Sequence, residues 1–141
     1  MARNDQVIGV VVVTHGQLAS ELVNAAEMIV GELPQFAAVS IGWHDDVNEA
    51  RQEIAEAITR VQGPSGVLIL TDMFGGTPAN LGITFLETNR VEVITGVNLP
   101  MLIKLASLQS SSDLLAVARE MREHGKNAIW VASDLLRADK S

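Results

Sequence analysis

One feature constrains the fold more than any other: the apolar run at 7–13, rich in β-branched residues, stops abruptly at Thr14-His15-Gly16. A run of that length without apolar–polar alternation is a strand buried on both faces, the kind found in the middle of a parallel sheet. The run at 66–72 repeats the pattern and closes on Asp72. Between and after them, apolar residues recur at helical spacing. Leu18, Leu22, Ala25, Ala26 and Ile29 predict helix one, stopped by Gly31 and Pro34. Asp46 and Glu49 have capping-box spacing ahead of Ala50, Ile54, Ala57, Ile58 and Val61, which predict helix two, ending near Gly63-Pro64. Strands are expected at 36–42 and 91–95. Thr77 reads as the N-cap of helix three, with Pro78 as its first residue. Helices are expected at 100–108 and 112–123, the latter closed by Gly125, then a fifth short strand at 128–132 and a loose tail at 134–141.

Strands alternating with helices require crossovers, so the predicted class is a three-layer α/β/α fold. Its open, mainly parallel sheet is flavodoxin-like, in order 2-1-3-4, with one short C-terminal strand besides. The whole of 1–141 fits one domain. In such sheets ligands bind beyond the carboxyl ends of the strands where the winding reverses, here between strands one and three. Both polar interruptions fall there.

His15 should therefore project from the rim. Neighbouring strands lie about 4.8 Å apart, which lets Asp72 reach its imidazole. A carboxylate on one ring nitrogen fixes the tautomer and leaves the other nitrogen free as a nucleophile. Phosphoryl transfer needs positioning and compensation of negative charge above all. Phe74-Gly75-Gly76-Thr77 offers inward-turned amides, the start of a helix and a hydroxyl. Each feature has a plain alternative. A lone histidine after a strand is commonly a satisfied polar residue, Asp72 could be a simple loop acid, and a glycine pair before a helix is commonly just a permissive turn. Their joint placement at one switch point is what favours chemistry.

Other candidates are weaker. His44 beside Asp45 and Asp46 invites a metal reading, but no second histidine stands at ligand spacing and Asp46 is needed as a cap. His124 suits a helix C-terminus, and Ser110, Ser111 and Ser112 suit a helix start. The net charge of −7 argues against nucleic acid as partner. The absence of cysteine removes thiolate chemistry and suits a reducing compartment, so a cytoplasmic location is expected. The run at 7–13 is too short for a membrane span or a signal peptide.

Three segments occur together in order: VTHG at 13–16, TDMFGGTPAN at 71–80 and TGVNLPML at 95–102. In that combination the chain, from 7 to 131, resembles the IIA domain of the mannose-family sugar phosphotransferase system. The resemblance implies a phosphotransferase in which Nε2 of His15 takes a phosphoryl group from the phosphocarrier protein HPr and gives it to a IIB component. Asp72 would hold the other ring nitrogen, Phe74, Gly75, Gly76 and Thr77 would surround the phosphate, and Asn98 would lie nearby. It implies no metal or organic cofactor, contact with the membrane only through IIC and IID partners, and a homodimer that exchanges an antiparallel strand at 128–132. Many relatives carry an Ala/Pro-rich linker to IIB, whereas this sequence stops at Ser141. Action in trans is therefore expected, with regulation as open a role as transport. Two alternatives remain: a signalling module switched by its phosphorylation state, and the phosphoryl-donor subunit for dihydroxyacetone phosphorylation, from which the DMFGGTP stretch departs.

Overall fold

The computed structural model describes residues 8–43, 45–108 and 113–138. In chain order the elements are β1 Gly9–His15, α1 Leu18–Val30, β2 Phe36–Ile41, α2 Val47–Val61, β3 Val67–Thr71, α3 Thr77–Ile83, β4 Val91–Thr95, α4 Leu99–Ala106, α5 Leu114–Asn127 and α6 Ala132–Ala138. The four strands form one sheet in the order β2-β1-β3-β4, every pair parallel. The fold is the α/β class, with the strand order that the alternation of elements predicts.

The valine run explains why β1 is central. Val10, Val11, Val12 and Val13 are all buried. Val10 and Val12 face α1, α4 and α5 through Val23, Leu102, Leu105 and Met121, while Val11 and Val13 face α2 through Ala50, Ile54 and Ala57. Each such side chain contributes about 1.5–3 kcal/mol when fully removed from water, so both faces of one strand pull helices onto the sheet. Gly9 lets α2 approach at the strand's start, because a Cβ there would overlap the Val61 carbonyl. β1 also runs two residues beyond the apolar run, because Thr14 and His15 pair with Ser40 and Ile41 of β2.

Four expectations need correction. Thr77 is the first residue of α3 rather than its cap. The cap position belongs to Gly76, at φ 89°, whose carbonyl accepts from the Asn80 amide at 3.0 Å. α5 continues through Gly125 to Asn127, and Gly125 is a packing glycine, since a Cβ there would run into Met101. No strand forms at 128–132: residues 128–131 pair with no strand among the described residues, and Ala132 opens α6. A strand needs a backbone partner, and residues 128–131 take neither edge of this sheet. The expected tail is helical as far as 138, where α6 carries an exposed Asp134–Arg137 ion pair at 3.9 Å. The serines at 110–112, residue 44 and residues 139–141 lie outside the described residues.

Candidate functional site

β1 and β3 are adjacent and parallel, so their carboxyl ends share one rim. Val13 pairs with Thr71, which places Asp72, the next residue, beside Thr14 and His15. The His15 amide donates to Asp72 Oδ2 at 3.0 Å, and His15 Nδ1 lies 2.8 Å from that same oxygen. The other carboxylate oxygen accepts from the Met73 amide at 3.1 Å. Burial by itself would raise the Asp72 carboxyl. The hydrogen bonds from the His15 ring and amide, with the attraction of the imidazole, more than offset it and hold the group below its usual value. An ionised carboxylate only accepts, so Nδ1 carries the proton of a neutral ring and Nε2 is left with its lone pair.

Nε2 points toward the glycine turn before α3. A Cβ on Gly76 would sit 3.2 Å from Nε2 and 3.1 Å from Cε1, so bare backbone borders that edge of the ring. Gly75 and Gly76 take φ values of 84° and 89°, a region that side-chain-bearing residues rarely adopt. The Gly75, Gly76 and Thr77 amides have no hydrogen-bond partner among the described residues. A cavity of about 570 Å³ opens here, lined by His15, Gly16, Ile41, Gly42, Trp43 and Thr77. The half-exposed His15 ring, with 50% of its side-chain surface accessible, forms part of its wall, whereas Asp72 at 14% stands behind.

The structure brings His15, Asp72, Gly76 and Thr77 together. Phe74 and Gly75 are beside them in sequence; like Asp72 and Gly76 they do not themselves line the cavity, and Phe74 is 78% exposed. Asn98 is committed to the fold: its oxygen caps α4 by accepting from Met101 N at 3.2 Å, and its amide donates to the Gly125 carbonyl at 3.0 Å. Reading the sequence overlooked Trp43, which is 98% exposed at the cavity mouth. Its only signal was an aromatic residue two positions past a strand that ends at the same rim. Among the described residues no group of three or more His, Cys, Asp or Glu side chains is placed to hold a metal ion, and no helix is long and apolar enough to cross a membrane.

Known proteins share this arrangement of sequence and fold. The family described as PTS system fructose IIA component matches residues 9–121. The fructose-specific EIIA component of Bacillus subtilis (strain 168) is 28% identical over 135 residues, covering 95% of this chain and 92% of that protein. The mannose-specific EIIAB component of Escherichia coli (strain K12) is 33% identical over 132 residues. That match covers 86% of this chain but 39% of the longer protein. Among solved structures, the PTS IIA protein associated with the fucose utilization operon of Streptococcus pneumoniae superimposes with a TM-score of 0.81 at 27% identity, covering 92% of this chain and 96% of that one.

Proposed function

The chain belongs to the PTS system fructose IIA component family, and from that premise we propose that it is a phosphoryl carrier of a sugar phosphotransferase system, with His15 as the phosphorylated residue. The observation that carries this reading is the pairing of Nδ1 with Asp72 at 2.8 Å while Nε2 borders Gly76 at the cavity. In the forward step the Nε2 lone pair attacks phosphorus on phosphorylated HPr. A new P–N bond forms as the donor's P–N bond breaks, and the donor imidazole leaves with its electron pair. Asp72 compensates the positive charge that the ring acquires. The amides of Gly75, Gly76 and Thr77, with the Thr77 hydroxyl, receive the phosphoryl oxygens. The reverse chemistry hands the group to a IIB component. No residue of this site meets the sugar, so the sugar's identity would rest with other components.

Exposed Trp43, Met73 and Phe74 flank the site and give a partner protein apolar surface to dock on. The homodimer implied by the resemblance is supported by exposed Ile129, Trp130 and Val131 and by the edge position of β4, which beyond β3 meets only an isolated bridge from Glu87 to Val91 among the described residues. A cytoplasmic setting follows from the donor. Incubation with phosphorylated HPr tests the reading: wild type should take up acid-labile, alkali-stable label and His15→Ala should take up none. Label retained by His15→Ala would refute it.

A further inference from the structure

The turn that carries His15 is held by three different parts of the molecule. The His15 amide bonds Asp72 after β3, the Gly16 amide donates to the Ile41 carbonyl of β2 at 2.8 Å, and Thr14 reaches α1. The third of these has an unusual form. Gln17 occupies the N-cap position of α1 but supplies no side-chain cap. The oxygen that satisfies the Ala19 amide is instead Thr14 Oγ1, at 2.6 Å, from a fully buried strand residue five positions back. A cap normally comes from the residue at the helix boundary and leaves the preceding strand free to adjust. Here the bond spans the whole connection, and only Gly16 and Gln17 separate β1 from α1. The bond therefore closes a small ring of chain with His15 inside it.

We propose that Thr14 is a positioning residue for transfer at His15: its hydroxyl locks α1 to the end of β1, so that the imidazole keeps Nδ1 on Asp72 and Nε2 against Gly76. The proposal rests on the reading that Nε2 takes the phosphoryl group. Without the hydroxyl, the Ala19 amide loses its acceptor inside the protein and the start of α1 must shift to find water. A two-residue connection transmits that shift to His15. A displacement approaching 1 Å at the nucleophile is enough to slow a reaction by about two orders of magnitude, and a smaller one proportionately less.

The test compares Thr14→Ser, Thr14→Cys and Thr14→Val in the full chain. Two readings are taken: single-turnover transfer from phosphorylated HPr, and the ring ¹⁵N shifts of His15 in the unphosphorylated protein. Thr14→Val, which keeps the volume, is expected to lower the maximal rate about tenfold with the half-saturating HPr concentration within about twofold of wild type, and to move the ¹⁵N shifts toward a mixture of tautomers. Thr14→Ser should restore both and Thr14→Cys, a weak acceptor, should fall between. If Thr14→Val does not fold, the ranking of wild type, serine and cysteine decides. A valine variant with wild-type rate and shifts, or a serine variant as impaired as valine, would overturn the proposal. If wild type takes no label the functional reading fails instead, and the ¹⁵N shifts alone still decide whether Thr14 positions the ring.

Discussion

The carboxyl rim of β1 and β3 and the segment after α5 are built on opposite terms. At the rim Thr14, His15, Gly16 and Asp72 each have a partner inside the chain, and the one half-open side chain is the imidazole. After α5, Ile129, Trp130, Val131, Leu135 and Leu136 all stand in solvent, with between 41% and 74% of their surface accessible. Residues whose partners are all internal, as these four are, are placed by the chain's own sequence. A region that leaves five large apolar side chains uncovered is only half described by a single chain.

That contrast can be broken at the rim first. Gly76→Ala should have the largest effect, because it combines a strained φ with a Cβ at 3.2 Å from Nε2. We expect transfer to fall by about a hundredfold or more while the fold persists, measured by single-turnover labelling beside a thermal melt. A rate near wild type would show that the glycine turn does not border the reacting atom. Asp72→Asn comes next, with a loss of about ten- to a hundredfold, since a neutral amide neither compensates the charge on the ring nor enforces one tautomer.

The same variant reads out the carboxylate's share in stability. The Asp72 pKa lies below the ordinary 3.8 in the folded chain, so its contribution is complete above that value and disappears as pH falls through the lower, folded-state pKa. The wild type should accordingly be the more stable protein at neutral pH, and the gap should close in acid below about 3.8 when urea midpoints are compared across pH. A gap of constant size down to acid pH would mean that the carboxylate is not what stabilises the pair.

At the other region, Trp130→Glu should leave rim chemistry within about twofold of wild type and reduce self-association, seen as a smaller sedimentation coefficient. An unchanged coefficient would show that the exposed segment has another use. The smallest effect sharpens the comparison from inside the rim. Thr71 is fully buried and its hydroxyl has no hydrogen-bond partner among the described residues, unlike that of Thr14. Thr71→Val should be neutral or stabilising by up to about 1 kcal/mol in chemical denaturation, and a clear destabilisation would reveal a partner for that hydroxyl.

What could be read from the sequence follows the same division. The strand order was legible because the valine run, its echo at 66–72 and the helical spacing between them are all satisfied within the chain. The meeting of His15 and Asp72 was legible because both terminate central strands. The Thr77 cap was misread because a glycine at φ 89° can take the boundary position itself, so the cap moved back by one. Gly125 was misread as a stop, although in α5 it admits Met101. The strand expected at 128–132 is not formed within a single chain, for a different reason. Its apolar pattern is real, but a strand is a pairing, and the one expected there is an exchange with a second copy, which a single chain does not supply. Trp43 escaped notice because its significance depends on the rim it overhangs.

With Nδ1 of His15 held by Asp72 at 2.8 Å, the proposed relay requires phosphorus to bond to Nε2. Two-dimensional ¹H–¹⁵N long-range correlation on the ¹⁵N-labelled protein, recorded after phosphorylation by HPr, reports directly which ring nitrogen carries the group. Phosphorylation at Nε2 of His15 with Nδ1 still protonated is the expected result. Phosphorus on Nδ1, or on any other residue, would contradict it.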